Sequence, residues 1–298
     1  IRMRFEVRWR DAKIHYYSQC IASPNEQEVH KVELDKAFIK LTEDFTFIAN
    51  ANVGGEFMDQ AHIDKLNQLA QIPWVRHFSD KLGLSPVEEL NYPKGEESLP
   101  VTESLLSNKP QHIIKRDFPV HFDDKFGIKM DIPEHLYNQG ELHNLAIGRG
   151  TLTAEDRFKI NEHITSTIKM LENLPFPPEL AKVPRYASTH HETLKGTGYP
   201  RKLSAEQLST PERILVLSDI FEALTAADRP YKKAKPMSVA INILHKMALD
   251  QHVDIEVFKL FLTSGVYLEY ARKFLAPSQI DDVDINQYLN DTPHDQQS

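Results

Sequence analysis

The first part of the chain has apolar residues at the spacing of an α-helix. Ser23-Pro24-Asn25-Glu26 has the sequence of a capping box with proline at the first helical position, which predicts a helix start. Asn52-Val53-Gly54-Gly55 predicts the end of the same helix. The apolar residues between them recur three and four positions apart, at Leu34, Phe38, Leu41, Phe45 and Ile48. The pattern therefore predicts one long amphipathic helix.

Shorter elements are predicted between this helix and the middle of the chain. A second helix is expected over residues 59–72, and Ser85-Pro86-Val87-Glu88 repeats the capping-box sequence for a short third helix. Residues 92–110 are rich in proline, which predicts a loop or an insertion. Residues 113–132 have the pattern of a small β-hairpin, with its turn near residues 123–127.

The helical pattern returns after Gly150 and continues to about Leu275. Six helices are predicted here: one that Thr153 caps, then residues 179–194, 212–226, 237–249 and 255–264, and a last helix that ends near Leu275. These patterns predict an all-α fold with a small β-hairpin insertion. We divide it into a helical N-terminal part with the insertion (1–150), a helical core (151–276) and a flexible acidic tail (277–298).

Composition narrows the class of protein. The 298 residues include 35 Lys and Arg against 43 Asp and Glu, and this net charge of −8 argues against a protein that coats duplex nucleic acid. No apolar run reaches the roughly 18 residues that a membrane-spanning helix needs. Cys20 is the only cysteine, so an intrachain disulfide and a Cys-rich zinc site are excluded, and a cytoplasmic location is expected.

The densest chemical signal is His190-His191-Glu192, followed by Gly196-Thr197-Gly198-Tyr199-Pro200. Two adjacent histidines at a helix end can bind one metal ion where the chain turns, and the glycines allow a sharp turn. His163 lies beside the apolar stripe of its predicted helix, so we expect it to point inward. Asp219 lies in a helix that is apolar nearly all round, so we expect a buried carboxylate.

A buried carboxylate is costly unless it is paired or bound to a cation. One interpretation of Asp219 is a salt bridge to Arg213 or Arg229, and one interpretation of the histidines is that they are structural. Three histidines, a carboxylate and a glycine turn in one region favour a metal site instead. Because one cysteine cannot form a thiolate cluster, the ligands available are imidazole and carboxylate, which suit Mn, Fe, Ni or Zn.

A basic stretch, Arg229-Pro230-Tyr231-Lys232-Lys233, follows the helix of Asp219. Cations beside a metal site on an acidic protein predict an anionic substrate, and phosphate is the obvious candidate. The alternative interpretation is a solvated run of charges after a helix.

Together these residues resemble the HD-GYP phosphohydrolases, bacterial metal-dependent enzymes that cleave cyclic dinucleotides. The resemblance covers about residues 152–275 and implies an HD-superfamily-like helical bundle. Its motifs are His163, the His-His-Glu and Gly-Tyr-Pro segments, Ser218-Asp219-Ile220-Phe221-Glu222-Ala223-Leu224-Thr225 and Asp228-Arg229-Pro230-Tyr231-Lys232. This series is highly specific.

The resemblance implies a centre of two or three divalent transition metal ions, of Fe, Mn, Ni or Zn. Three histidines bind one ion and an aspartate binds its neighbour, so the implied metal ligands are His163, His190, His191 and Asp219. Two basic side chains match positions that hold the substrate phosphates in the family. Two further residues lie on the Gly-Tyr-Pro loop, from which the family takes its name. The implied substrate-binding residues are therefore Gly198, Tyr199, Arg229 and Lys232.

Two features depart from the family pattern. Lys195 stands where the family usually has aspartate before its glycine-rich loop. The His-Asp pair that supplies a ligand and a bridging carboxylate is missing from residues 1–162, as is its nearby lysine. We expect the pair to lie before Ile1, in a longer protein. The alternative is a degenerate member of the family.

The implied activity is that of a phosphodiesterase, a phosphoric diester hydrolase of bacterial second-messenger signalling. Cyclic di-GMP is the first expected substrate and 3'3'-cyclic GMP-AMP the second. One alternative is a non-catalytic module that binds a cyclic dinucleotide, or a signalling protein, through the Gly-Tyr-Pro loop. Another is a helical scaffold with structural histidines. A homodimer is an expectation from the resemblance alone.

Overall fold

Helices make up most of the chain. The computed structural model describes residues 1–95, 97–226 and 235–292, and the strands in this part form two antiparallel sheets of two strands each. The predicted helical fold class is confirmed. Within these ranges no helix is both long enough and apolar enough to span a bilayer. The chain divides into two compact units, residues 1–119 with 133–158 and residues 120–132 with 159–298. The predicted domain boundaries stay a prediction.

Two long helices, α1 (Arg2–Ala22) and α2 (Gln27–Val53), are the largest elements of the first unit. A short connection joins them, and they pack against each other along their length, as an antiparallel pair does. Trp9 stacks on Phe38 with 3.8 Å between the ring centroids. Apolar contacts of this kind hold the pair together.

The start of α2 differs from its prediction. Ser23 forms no capping hydrogen bond, because residues 24–26 form a separate 3₁₀ turn before α2 begins at Gln27. The end agrees with the sequence, since Gly54 follows α2 with φ of +75°. The predicted capping box at Ser23 is therefore wrong, whereas the predicted end of the helix is confirmed.

Small elements complete the first unit. A capping box forms at Ser85 as predicted: Glu88 N donates to Ser85 Oγ at 3.3 Å, and Ser85 N donates to Glu88 Oε2 at 2.8 Å. Strand pairing occurs in a region predicted as a loop, since Val75 lies opposite Thr102 in an antiparallel pair. The elements are α3 (Gln60–Ala70), β1 (Pro73–Arg76), α4 (Pro86–Glu89) and β2 (Val101–Ser104).

The predicted β-hairpin over residues 113–132 is wrong. β3 (Ile113–Ile114) pairs instead with β4 (Tyr137–Asn138), and the short helix α5 (Glu141–Leu145) follows. The predicted turn is a 3₁₀ turn that ends at Gly127, where φ is +62°. The Phe126 side chain before it is buried, so an aromatic anchor holds this segment in place of cross-strand pairing.

The second unit is helical. Its elements are α6 (Ala154–Leu171, whose first turn belongs to the first unit), α7 (Val183–Ala187), α8 (Thr210–Thr225), α9 (Met237–Leu249), α10 (Ile255–Thr263), α11 (Val266–Phe274) and α12 (Asn286–Leu289). The bounds of α8, α9 and α10 and the end of α11 confirm their predictions to within two residues. Phe258 and Leu244 are fully buried where α8, α9 and α10 pack together.

The end of the chain packs against this core. Ile280, Val283, Ile285 and Tyr288 contact the core cluster, and Gln279 Nε2 donates to the carbonyl of Thr225 at 2.9 Å. Because these side chains are packed, residues 277–289 do not form the expected flexible tail. Residues 293–298 lie outside the described residues.

Candidate metal centre

Two histidines follow directly after the short helix α7. The helix ends at Ala187, and the buried hydroxyls of Ser188 and Thr189 then donate to the carbonyl of Arg185 at 3.0 and 3.1 Å. The predicted helix over residues 179–194 is therefore wrong outside α7. The next two residues, His190 and His191, lie in a turn.

His163 of α6 faces this turn. Its Nδ1 lies 2.7 Å from the carbonyl oxygen of Ile160, so Nδ1 carries the proton and Nε2 is left free as a ligand. Nε2 of His163 is 3.2 Å from Nε2 of His191. One ring nitrogen each of His163, His190 and His191 lies within 4.8 Å of the others. Among the described residues, this is the one group of three or more side chains placed to hold a metal ion.

The geometry of this histidine cluster (His163, His190 and His191) fits a transition metal ion. Two nitrogens that each lie about 2.1 Å from one cation are about 3.0–3.4 Å apart. The distance of 3.2 Å between His163 and His191 agrees with this. An imidazole whose second nitrogen donates to a carbonyl is also the usual form of a metal-binding histidine. Imidazole nitrogens suit Zn, Fe and Ni.

Asp219 of α8 lies on the other side of the His191 ring. Its Oδ2 is 3.7 Å from Nδ1 of His191. The alternative salt bridge to Arg213 is wrong, because Arg213 pairs with Asp254 at 2.6 Å. The four implied metal ligands therefore come together, although their contact with a metal stays a prediction.

The predicted burial of two of these ligands is wrong. The Asp219 side chain is 43% exposed, and His163 is exposed as well. The prediction assumed that an apolar helix is buried on all sides. Ile214 and Leu215 of α8 are instead 41% and 39% exposed, so one side of that helix is uncovered. The cluster is thus accessible from solvent.

Tyr199 covers the face of His191. The two rings stack with 4.7 Å between centroids and 22° between planes. The Tyr199 backbone N–H also donates to the carbonyl of His191 at 3.1 Å. Burial, with a smaller contribution from the negative charge of Asp219, raises the pKa of Tyr199 to about 12. The phenol therefore keeps its proton at neutral pH and can donate a hydrogen bond.

Gly198 lies where two backbone segments meet. A Cβ atom at this position would be 2.5 Å from Cα of Glu192 and 2.6 Å from the carbonyl oxygen of His191. Only glycine fits such an approach without displacing the loop. A structural reason for Gly198 is therefore clear, while its implied contact with substrate stays a prediction.

Arg201 has a role that the sequence analysis missed. Its Nη1 donates to Ser188 Oγ at 2.6 Å, and its Nε donates to the carbonyl of Phe126 at 2.8 Å. The guanidinium thus joins the loop of Tyr199 to the histidine turn and to residues 120–132. The partners are 13 and 75 positions away, and no local pattern reveals such contacts. Lys195, the residue that departs from the family pattern, pairs with Asp250.

Two of the implied substrate-binding residues, Arg229 and Lys232, lie outside the described residues. Their contact with phosphate stays a prediction from the resemblance.

Comparison with known proteins decides the family. The sequence profile of one family, described as the HD domain, matches residues 100–257, which is more than half of the chain. The chain belongs to the HD domain family. Phosphohydrolases with an HD domain depend on metal ions, in agreement with the histidine cluster.

Relatives of this HD domain include bacterial phosphodiesterases. The chain is 25% identical to a 3'3'-cGAMP-specific phosphodiesterase 1 of Vibrio cholerae, over 70% of the chain and 48% of the relative. It is 37% identical to the 3'3'-cGAMP-specific phosphodiesterase 3 of Vibrio cholerae, over 37% of the chain and 23% of the relative. It is 31% identical to a cyclic di-GMP phosphodiesterase of Pseudomonas aeruginosa, over 47% and 30%. The HD-GYP resemblance is confirmed, and the match spans at most about half the length of these relatives.

The stability of the metal-free HD domain is expected to fall in acid. Burial, together with the neighbouring His190 and His163, lowers the pKa of His191 from 6.5 to about 4. The unfolded chain keeps a histidine pKa near 6.5, so it binds the proton first. Stability on the order of 3 kcal/mol is therefore lost as the pH falls from about 6.5 to 4.

This prediction is checked by NMR titration of the chelator-treated protein. We expect the His191 ring to remain neutral at pH 5. A protonation midpoint above pH 6 would contradict the burial effect.

Proposed function

We propose that this chain forms the metal-binding core of a cytoplasmic phosphodiesterase that hydrolyses a cyclic dinucleotide. The observation that carries the proposal is the histidine cluster, with its nitrogens within 4.8 Å of one another and Asp219 beside it. Membership of the HD domain family and the names of the relatives support the same activity.

Each side chain of the site has its own role in the proposed activity. His163, His190 and His191 hold one metal ion, and Asp219 binds a second. Bound metal ions lower the pKa of a bound water and stabilise the charge that develops on the phosphoryl oxygens. Tyr199, which stays protonated, is placed to donate a hydrogen bond beside the cluster. Arg229 and Lys232 neutralise the phosphate groups. We propose Fe, Mn, Ni or Zn for the ions.

The names of the three relatives contain two candidate substrates. Names that contain 3'3'-cGAMP and cyclic di-GMP occur among the relatives, so the substrate class is supported more firmly than the bases. We propose cyclic di-GMP first and 3'3'-cyclic GMP-AMP second. A homodimer and a signalling partner on the Gly-Tyr-Pro loop remain further proposals.

The test is hydrolysis by the purified chain after it is loaded with each metal. Because residues 1–162 lack the His-Asp pair, we expect turnover to be slow, and long incubations are needed. The expected product is the linear dinucleotide, which chromatography separates from the cyclic substrate, and a chelator should stop its formation. Binding of the cyclic dinucleotide without any product would favour the non-catalytic module. If the chain neither binds a cyclic dinucleotide nor forms any product, the phosphodiesterase and the non-catalytic binding module are both contradicted.

A further inference from the structure

Glu192 is a fully buried carboxylate directly after the two histidines. Its Oε1 accepts the backbone N–H of Arg201 at 2.7 Å, and its Oε2 accepts the backbone N–H of Leu203 at 2.9 Å. Both oxygens are therefore occupied by amides on the far side of the Gly-Tyr-Pro loop. Hydrogen bonds from backbone amides to a buried carboxylate are among the stronger ones in proteins.

The two amides bracket the segment that follows Tyr199. Tyr199 is itself tied to the histidine turn, because its N–H donates to the carbonyl of His191 and its ring stacks on the imidazole. Glu192 thus binds the backbone of the loop at two amides. The backbone N–H of Lys129, from residues 120–132, donates to the carbonyl of Pro200 in the same loop at 2.7 Å. Hydrogen bonds from Glu192 and from Lys129 therefore both hold the loop.

We propose that Glu192 is a positioning residue that holds the Tyr199 ring against His191. Glu192 does not act on substrate or metal itself, because its side chain is 0% exposed and both of its oxygens have backbone partners. The part of this inference that concerns substrate rests on the proposed function. The part that concerns the loop does not.

Glu192→Gln is the sharpest variant, because it preserves the shape of the side chain and replaces one accepting oxygen by an amide NH₂. That NH₂ group cannot accept a backbone N–H, so one of the two hydrogen bonds is lost. Glu212→Gln is a matched control. Glu212 is also buried in the second unit, but its oxygens accept from Ser209 and from Arg185 Nε at 2.6 Å, and not from the backbone amides of Arg201 and Leu203.

Two readouts need no activity. Hydrogen exchange should become at least tenfold faster at the amides of Arg201 and Leu203 in Glu192→Gln, and remain unchanged there in Glu212→Gln. In protein labelled with fluorotyrosine, the ¹⁹F resonance of Tyr199, assigned with Tyr199→Phe, should shift in Glu192→Gln alone. If Glu192→Gln does not fold, Glu192→Asp, which retains the charge on a shorter side chain, takes its place in both measurements.

Kinetics provide the third readout. We expect KM for the cyclic dinucleotide to rise at least tenfold in Glu192→Gln, with kcat changed less than threefold and bound metal retained. Wild-type exchange and an unmoved Tyr199 resonance in Glu192→Gln would overturn the proposal, as would equal effects in Glu212→Gln. If the wild-type chain hydrolyses no cyclic dinucleotide, the proposed function fails, and exchange and NMR still decide the role of Glu192.

Discussion

Replacement of His190 by alanine is expected to remove most of the bound metal, with affinity lowered more than tenfold. The reason is the compactness of the cluster, in which the ligand nitrogens of three histidines lie within 4.8 Å of one another. His163→Ala should have the same effect, since its free Nε2 faces that of His191. Neither change removes buried apolar packing, because His163 is exposed and His190 is only half-buried.

Elemental analysis of dialysed protein measures this loss, and far-ultraviolet circular dichroism checks that the helices remain. His252→Ala is the control, since His252 belongs to the same unit but not to the cluster. Equal metal content in the wild type, His190→Ala and His163→Ala would contradict the assignment of the site.

Gly198→Ala should produce the largest loss of stability among single-methyl additions to the loop. The new Cβ would lie 2.5–2.7 Å from backbone atoms of His191 and Glu192, which cannot move aside as a flexible side chain could. Such overpacking costs about 3 kcal/mol. The midpoint of thermal unfolding of the affected part should then fall by about 6–10 °C.

Gly55→Ala is the matched control for that substitution. Its Cβ would have its nearest neighbour at 4.0 Å, and its backbone does not adopt a positive φ. Thermal unfolding followed by circular dichroism should show little change for Gly55→Ala. An unaltered midpoint for Gly198→Ala would show that the loop is not packed against the histidine turn.

Local sequence signals predicted the helices well and the connections poorly. α9 has its predicted bounds, because its apolar period and its flanking proline are both local features. Residues 113–132 also have local alternation, but β3 pairs with a strand that begins at Tyr137, and Phe126 in the predicted turn is buried. Strand pairing and burial that depend on residues far apart in the chain cannot be predicted from a short stretch of sequence.

The site shows the same division. The motifs group His163, His190, His191 and Asp219, and their side chains lie next to one another in the structure, while their role as metal ligands stays a prediction. They did not reveal that Asp219 is partly exposed, since an apolar composition does not say which side of α8 is covered. The amide partners of Glu192 also escaped detection, because a carboxylate in a motif gives no indication of whether it binds metal or backbone.

We propose that the histidine cluster is the metal centre of a phosphodiesterase. The most direct measurement determines bound metal and linear dinucleotide formation in the same samples while metal is added back to the chelated chain. Under this proposal, product formation rises in proportion to bound metal and His190→Ala abolishes both together. Hydrolysis that persists in His190→Ala without bound metal would contradict it.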